Sequence, residues 1–127
     1  MESTSSIDKE LVRHILLRID DAITTLKERN ATIHSGDDFA MSPSGMEKLD
    51  AACMLLIAIG ESIKSLDKNT NKELLSTYPS IKWKEIMGVR DIIAHHYFDV
   101  DADVIFEIID KDLDPLLTAI RYFEKII

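Results

Sequence analysis

Cysteine occurs once in this chain, at Cys53, so no internal disulfide can form, which suits a reducing compartment. Glycine occurs four times and proline three times in 127 residues, which fits a compact helical protein better than a turn-rich one. Long apolar runs are also missing. The longest, Ala51 to Gly60, is about half of what a membrane span requires, so no membrane partner is expected. Basic residues are in the minority: 15 Lys and Arg against 23 Asp and Glu give a formal charge of -8, which argues against a broad electrostatic footprint for nucleic acid. The opening Met-Glu-Ser-Thr-Ser-Ser lacks the basic and apolar regions of a signal peptide, so a cytoplasmic location is expected. No Gly-rich phosphate loop or Walker lysine is found, and the chain is therefore not expected to be a nucleotidyltransferase itself.

What remains is a sequence with 46% apolar residues, the length of one domain, and 1–127 is read as a single helical unit. Leu11, Ile15, Ile19, Ala22, Ile23 and Leu26 recur at three and four, predicting a first helix from Asp8 to about Asn30. His14 lies on that helix as an ordinary surface or boundary residue. A polar connector with a Gly36-Asp37-Asp38 turn signal is expected over 31–41. The second helix has two candidate starts, Ser42 as cap with Pro43 in the first position, or Ser44 with Glu47 as a capping box. Met46, Leu49, Cys53, Leu56, Gly60 and Ile63 form its stripe, and Ala51, Ala52, Leu55, Ala58 and Ile59 make other faces apolar too. Such a helix is buried on more than one side, in the bundle or at a subunit interface. Gly60 suggests a close helix approach, and Cys53 reads as core rather than as a nucleophile.

The helix ends over 67–70, a short helical segment fits 71–78, and Ser80 is a candidate cap for a helix from about Ile81 to His95 or His96. Ile86, Val89, Ile93 and Trp83 form its buried side; Gly88 would let another helix or a phosphate come close. Asp99 and Asp101 are candidate caps for a last helix carrying Ile105, Ile109, Leu113, Leu116, Ile120, Phe123 and Ile127, with a kink or break expected at Pro115. The fold class predicted is all-α, an antiparallel bundle of four main helices plus a short one.

Chemistry concentrates in Trp83 to Asp101, where eight positions gather Arg90, His95, His96 and Tyr97. Arginine offers a planar fork of donors to a phosphoryl group, and histidine exchanges protons near neutrality. Such a set can cleave RNA without metal, one imidazole taking the ribose 2'-OH proton while an acid protonates the departing 5' oxygen. A zinc site at His95 and His96 is not expected, since adjacent residues point apart and no Cys or third His is near. At roughly 100° per residue Arg90 and His95 fall on different faces. Either the helix opens near His95, or a second copy of the segment completes the site across a two-fold axis, the option preferred here because it supplies a separate acid and base. The competing reading of Arg90 is a surface salt bridge to a nearby carboxylate. Acidic residues from Asp99 to Asp114 crowd the start of the last helix, whereas Lys82, Lys84 and Arg90 cluster before it, leaving room for a local basic cleft.

The pattern Arg90, four residues, His95, one residue, Tyr97 resembles the RX4HXY motif of HepT-type toxins in the HEPN superfamily (domain of unknown function 86). Ile59-Gly60-Glu61-Ser62, Pro79 to Trp83, Gly88-Val89-Arg90-Asp91, Tyr97 to Asp101 and Asp112-Leu113-Asp114-Pro115 also resemble family positions, so the likeness covers nearly the whole chain. It implies an all-helical homodimer and a metal-independent, cofactor-free endoribonuclease with Arg90 and His95 as the catalytic pair at the dimer interface. It further implies a type VII toxin–antitoxin system, in which an MNT-type minimal nucleotidyltransferase antitoxin adds AMP to the motif tyrosine, here Tyr97. Asp91 departs from the Asn common in the wider superfamily; its carboxylate would compete with phosphate for Arg90 or orient His95, with His96 as a further supporting residue. The RNA target, a tRNA end or mRNA, stays open. The alternative is a non-catalytic helical partner that presents Tyr97 to a nucleotidyltransferase.

Overall fold

The computed structural model describes residues 6–95 and 97–127, with Tyr97 described in its backbone alone. Helix α1 spans Lys9–Arg29, and its Asp8 cap accepts from the Leu11 amide at 3.1 Å, satisfying one of the donors a helix start leaves open. Its buried side is Val12, Ile15, Leu16, Ile19, Ile23 and Leu26. Leu11, expected in the stripe, is exposed, because Val12 and Leu16 take the places facing the bundle.

The connector is not simply a turn. Gly36–Ala40 forms a short helix, α2, capped by Ser35, and Phe39 on it is fully buried. Phe39, with Ile33 packed against the core before it, folds the connector onto the bundle. Helix α3, Pro43–Asn69, starts at Ser42, whose hydroxyl accepts from the Gly45 amide at 3.0 Å with Pro43 in the first turn. It packs against α1, α2 and the next helix, so it runs through the bundle centre. Gly45, Ala52, Leu56, Ile59, Gly60, Ile63 and Leu66 are its buried residues; Met46 is exposed and Cys53 half-buried. Burial, then the nearby Asp50 charge, pushes the Cys53 thiol up to about 11, which keeps it protonated and unreactive.

After a 3-10 turn at Leu75–Thr77, helix α4 runs Trp83–His95, two residues later than Ser80 as a cap would give. Trp83 fixes its start: the indole stacks on Phe123 at 5.9 Å and its Nε1 donates to the Tyr78 carbonyl at 2.9 Å. A Cβ on Gly60 would lie 3.0 Å from the Ile86 carbonyl oxygen, so α3 and α4 cross where only glycine fits without adjustment.

The last helical segment is broken. Helix α5, Ala102–Glu107, is capped by Asp101, whose carboxylate accepts from the Asp103 amide at 2.9 Å. A π-helical turn follows at Ile108–Asp112, then α6 at Leu113–Ile126. Pro115 explains the break: it has no N–H for the carbonyl four residues back, and its ring would strike that carbonyl in a regular helix. The wider turn before it lets α6 begin with Pro115 in the first turn, where free amides are normal. Leu113, Leu116, Leu117, Ile120 and Phe123 then close the core against α1. The result is an all-α antiparallel bundle with no strand among the described residues, and no helix of it is long and apolar enough to cross a membrane.

Candidate functional site

The C-terminal half of α4 carries Arg90, Asp91 and His95, and all three are exposed. Helix α4 runs to His95, so Arg90 and His95 lie on the same helix. Ring atom Nδ1 of His95 lies 2.7 Å from the Asp91 carbonyl oxygen. A carbonyl oxygen only accepts, so Nδ1 donates in this contact, and in the neutral imidazole Nε2 carries the lone pair. Asp91 therefore orients His95, but through its backbone rather than its carboxylate.

Arg90 turns to another side of α4. Its Nε sits 4.0 Å from Oε2 of Glu61 on α3, and the same oxygen takes a 3.2 Å bond from Lys64 Nζ. The Gly60 crossing places Glu61 there, one residue along α3 from the point where the helices touch. The side chain of Arg90 is half exposed, so the contact is a loose surface pair that a phosphate could replace. Glu61 stood in the sequence without a role; Gly60 beside it was the signal that this part of α3 meets α4.

At roughly 100° per residue, Glu85, Gly88, Ile92 and His95 share one stripe of α4, with Arg90 well away from it. Within one chain the guanidinium and the imidazole are thus held by different neighbours. His96 and the side chain of Tyr97 lie outside the described residues. Phe98, on the 3-10 turn Tyr97–Asp99, is 95% exposed.

A second charged cluster, which the sequence did not announce, joins α1 to α6. Asp20 accepts from Arg121 at 3.2 and 3.4 Å and from Thr24 at 3.3 Å, and Glu124 packs beside it. Burial, then the Asp20 carboxylate, pushes the Glu124 carboxyl up to about 7, and its Oε2 is buried with no donor among the described groups. Burial also works to raise Asp20, but hydrogen bonds with Glu124 and Arg121 outweigh it and hold Asp20 below its ordinary range.

Comparison with known proteins agrees with the motif. A family model described as Ribonuclease HepT-like matches residues 19–123. A protein of Caldanaerobacter subterraneus named as a candidate RNase is 40% identical over 63 residues, covering 50% of this chain and 53% of its own. One from Methanocaldococcus jannaschii, named likewise, is 31% identical over 72 residues, 57% of this chain and 54% of its own. A Thermococcus cleftensis protein named as a probable ribonuclease HepT is 32% identical over 56 residues, 44% of this chain and 51% of its own. The matched region thus spans about half the length of these relatives. No solved structure matches.

Proposed function

Because the chain belongs to the Ribonuclease HepT-like family, we propose that it is the ribonuclease toxin of a type VII HEPN–MNT toxin–antitoxin pair, cutting RNA without metal. The observation that carries this reading is the exposed His95, with Nδ1 tied to the Asp91 carbonyl, five residues from an exposed Arg90. Such an imidazole takes the 2'-OH proton; the 2' oxygen attacks phosphorus, the bond to the 5' oxygen breaks, and a second acid returns a proton to that oxygen. Arg90 offsets charge on the five-coordinate phosphorus after leaving Glu61. One His95 cannot be base and acid at the same instant. A homodimer in which a second His95 faces the first supplies the acid, with His96 and Asp91 in support.

Inhibition in this reading is covalent. An MNT-type nucleotidyltransferase partner transfers AMP from ATP to the Tyr97 phenol, releasing pyrophosphate and setting a bulky anion two residues from His95.

The test uses purified chain free of AMP, incubated with total RNA and with tRNA in EDTA. The parent is expected to leave 2',3'-cyclic phosphate ends, with Arg90→Ala and His95→Ala slower by about a hundredfold or more at unchanged thermal stability, as fits loss of general acid–base or oxyanion stabilisation. Cleavage by either variant at the parental rate would remove that residue from the site. No cleavage by the parent, with AMP still incorporated at Tyr97, would favour the non-catalytic partner role.

A further inference from the structure

Helices α3 and α4 meet at a carboxylate that serves two cations. Oε2 of Glu61 accepts from Lys64 Nζ at 3.2 Å and lies 4.0 Å from Arg90 Nε. Neither cation has another carboxylate within 4.0 Å among the described residues. Elsewhere among those residues each cation of an ion pair has a carboxylate to itself, and Arg121 faces two. The α3–α4 crossing is thus locally short of one negative charge, on a chain that carries 23 acids against 15 bases.

The backbone holds this arrangement in place. A Cβ on Gly60 would lie 3.0 Å from the Ile86 carbonyl oxygen, so the contact between the helices fixes where Glu61 and Arg90 stand relative to each other. Glu61 and Lys64, three residues apart, are neighbours on the surface of α3. All three side chains are half exposed, which leaves the cations open to a solute. Of the residues expected in a local basic cleft, Lys82 pairs with Glu85 on its own helix at 4.0 Å; the cation that joins Arg90 is Lys64 of α3, which the sequence did not mark.

The shared oxygen decides what the cations can take in its place. It meets Arg90 through Nε alone, and no acceptor among the described residues meets the terminal nitrogens of the guanidinium fork. A phosphodiester presents two unbridged oxygens, one for the ammonium and one for the open side of the fork, in charge-assisted bonds.

From these contacts we propose that Lys64 and Arg90 form one phosphate-binding site for the backbone of RNA, which Glu61 occupies as a resident counter-ion until a phosphodiester displaces it. Glu61 thereby sets how readily RNA enters, and Lys64 adds a second contact to the phosphate that Arg90 holds. That the phosphate belongs to RNA rests on the ribonuclease reading; that the two cations hold a phosphate does not.

The probe is a fluorescent single-stranded RNA of about ten nucleotides with 2'-O-methyl sugars, which lacks the attacking hydroxyl and so reports binding apart from cleavage. Glu61→Gln is expected to bind it about three- to tenfold more tightly than the parent, since the competing anion is gone while the side-chain shape is kept. Lys64→Gln is expected to bind it about three- to tenfold more weakly and to lower the slope of log Kd against log salt by about 0.7, one phosphate contact of a single strand; Lys64→Arg restores both. Glu28→Gln and Lys9→Gln, on α1, make the same changes of net charge and should each alter affinity by less than about twofold. A salt bridge with a structural role alone gives no gain in affinity at Glu61→Gln and a small loss in melting temperature.

Binding by Glu61→Gln no tighter than by the parent, an unchanged salt slope in Lys64→Gln, or equal effects from the α1 variants would overturn the proposal. So would a glutamate oligopeptide that displaces the RNA at similar concentration, which would make this a site for acidic peptides, or AMP that does so, which would make it a site for free nucleotide. Cleavage is read separately: the expected binding by a parent that cuts no RNA leaves the phosphate site standing without the ribonuclease, and cleavage by a parent whose Glu61→Gln and Lys64→Gln variants bind unchanged removes the phosphate site alone.

Discussion

Trp83, at the start of α4, is 8% exposed, stacked on Phe123 and tied by its indole N–H to Tyr78, whereas Phe98, just past the far end, is 95% exposed. One aromatic is locked between elements far apart in sequence; the other is largely exposed beside the motif. The same asymmetry runs along the whole helix. Its first half is fastened by the aromatic cluster and the Gly60 crossing, and its second half carries exposed Arg90, Asp91, Ile92 and His95. A catalytic surface needs side chains that are reachable yet fixed in place, and anchoring one end of a short helix while presenting the other meets both needs.

Breaking the anchored end should have the largest effect on stability. Phe123→Ala removes the ring on which Trp83 and Tyr78 pack, and should cost about 3–5 kcal/mol by chemical denaturation, near the whole stability of a small domain. A cost under about 1 kcal/mol would mean that the aromatic cluster does not hold α4.

The two glycines of the α3–α4 pair sharpen the contrast, since alanine gains helix propensity at both. At Gly60 the new methyl meets the Ile86 carbonyl at 3.0 Å, so Gly60→Ala should destabilise by about 1–3 kcal/mol and weaken the Arg90–Glu61 approach. At Gly88 it meets nothing, so Gly88→Ala should stabilise by about 0.5–1 kcal/mol. Thermal melts of the two variants should therefore move in opposite directions, and a shared sign would contradict the crossing geometry.

The smallest effect at neutral pH is expected at the α1–α6 carboxyl pair. Glu124 has its folded value raised from 4.5 to about 7, so its stabilising share is full below about 4.5 and fades as pH rises through 7. Asp20 is lowered, so its share is present above its ordinary 3.8 and lost on acidification. Denaturation midpoints of the parent should thus fall between about pH 5 and about pH 8, and Glu124→Gln, which donates an N–H without titrating, should flatten that slope. A slope unchanged in the variant would assign it to other groups.

How much of this could be read beforehand varied with the range of the interaction. The Ser42 and Asp101 caps, each one of two candidates, the extent of α1 and the interruption near Pro115 depend on neighbours within a few residues, and all were legible, although Asp8 read as the first residue of α1 and not as its cap. The α2 helix was not, because Phe39 forms it by burial against distant elements. In the same way the motif marked Arg90 and His95 as residues, but not that Glu61 meets the one or that the Asp91 backbone rather than its carboxylate meets the other. Gly60 and Gly88 invited the same explanation from sequence, and the fold gave them opposite surroundings.

The sequence by itself determined an all-helical chain, the starts of α1 and α3 to within a residue or two and the spacing that marks the family, because hydrogen bonds within a helix, caps and a motif are local. Only the tertiary structure decided which face of α4 stays open, that Lys64 and Arg90 meet at the carboxylate of Glu61 and that Asp20 and Arg121, 101 positions apart, close α1 on α6. Those features arise from how helices cross, and a crossing is set by the packing of both partners rather than by the pattern of either.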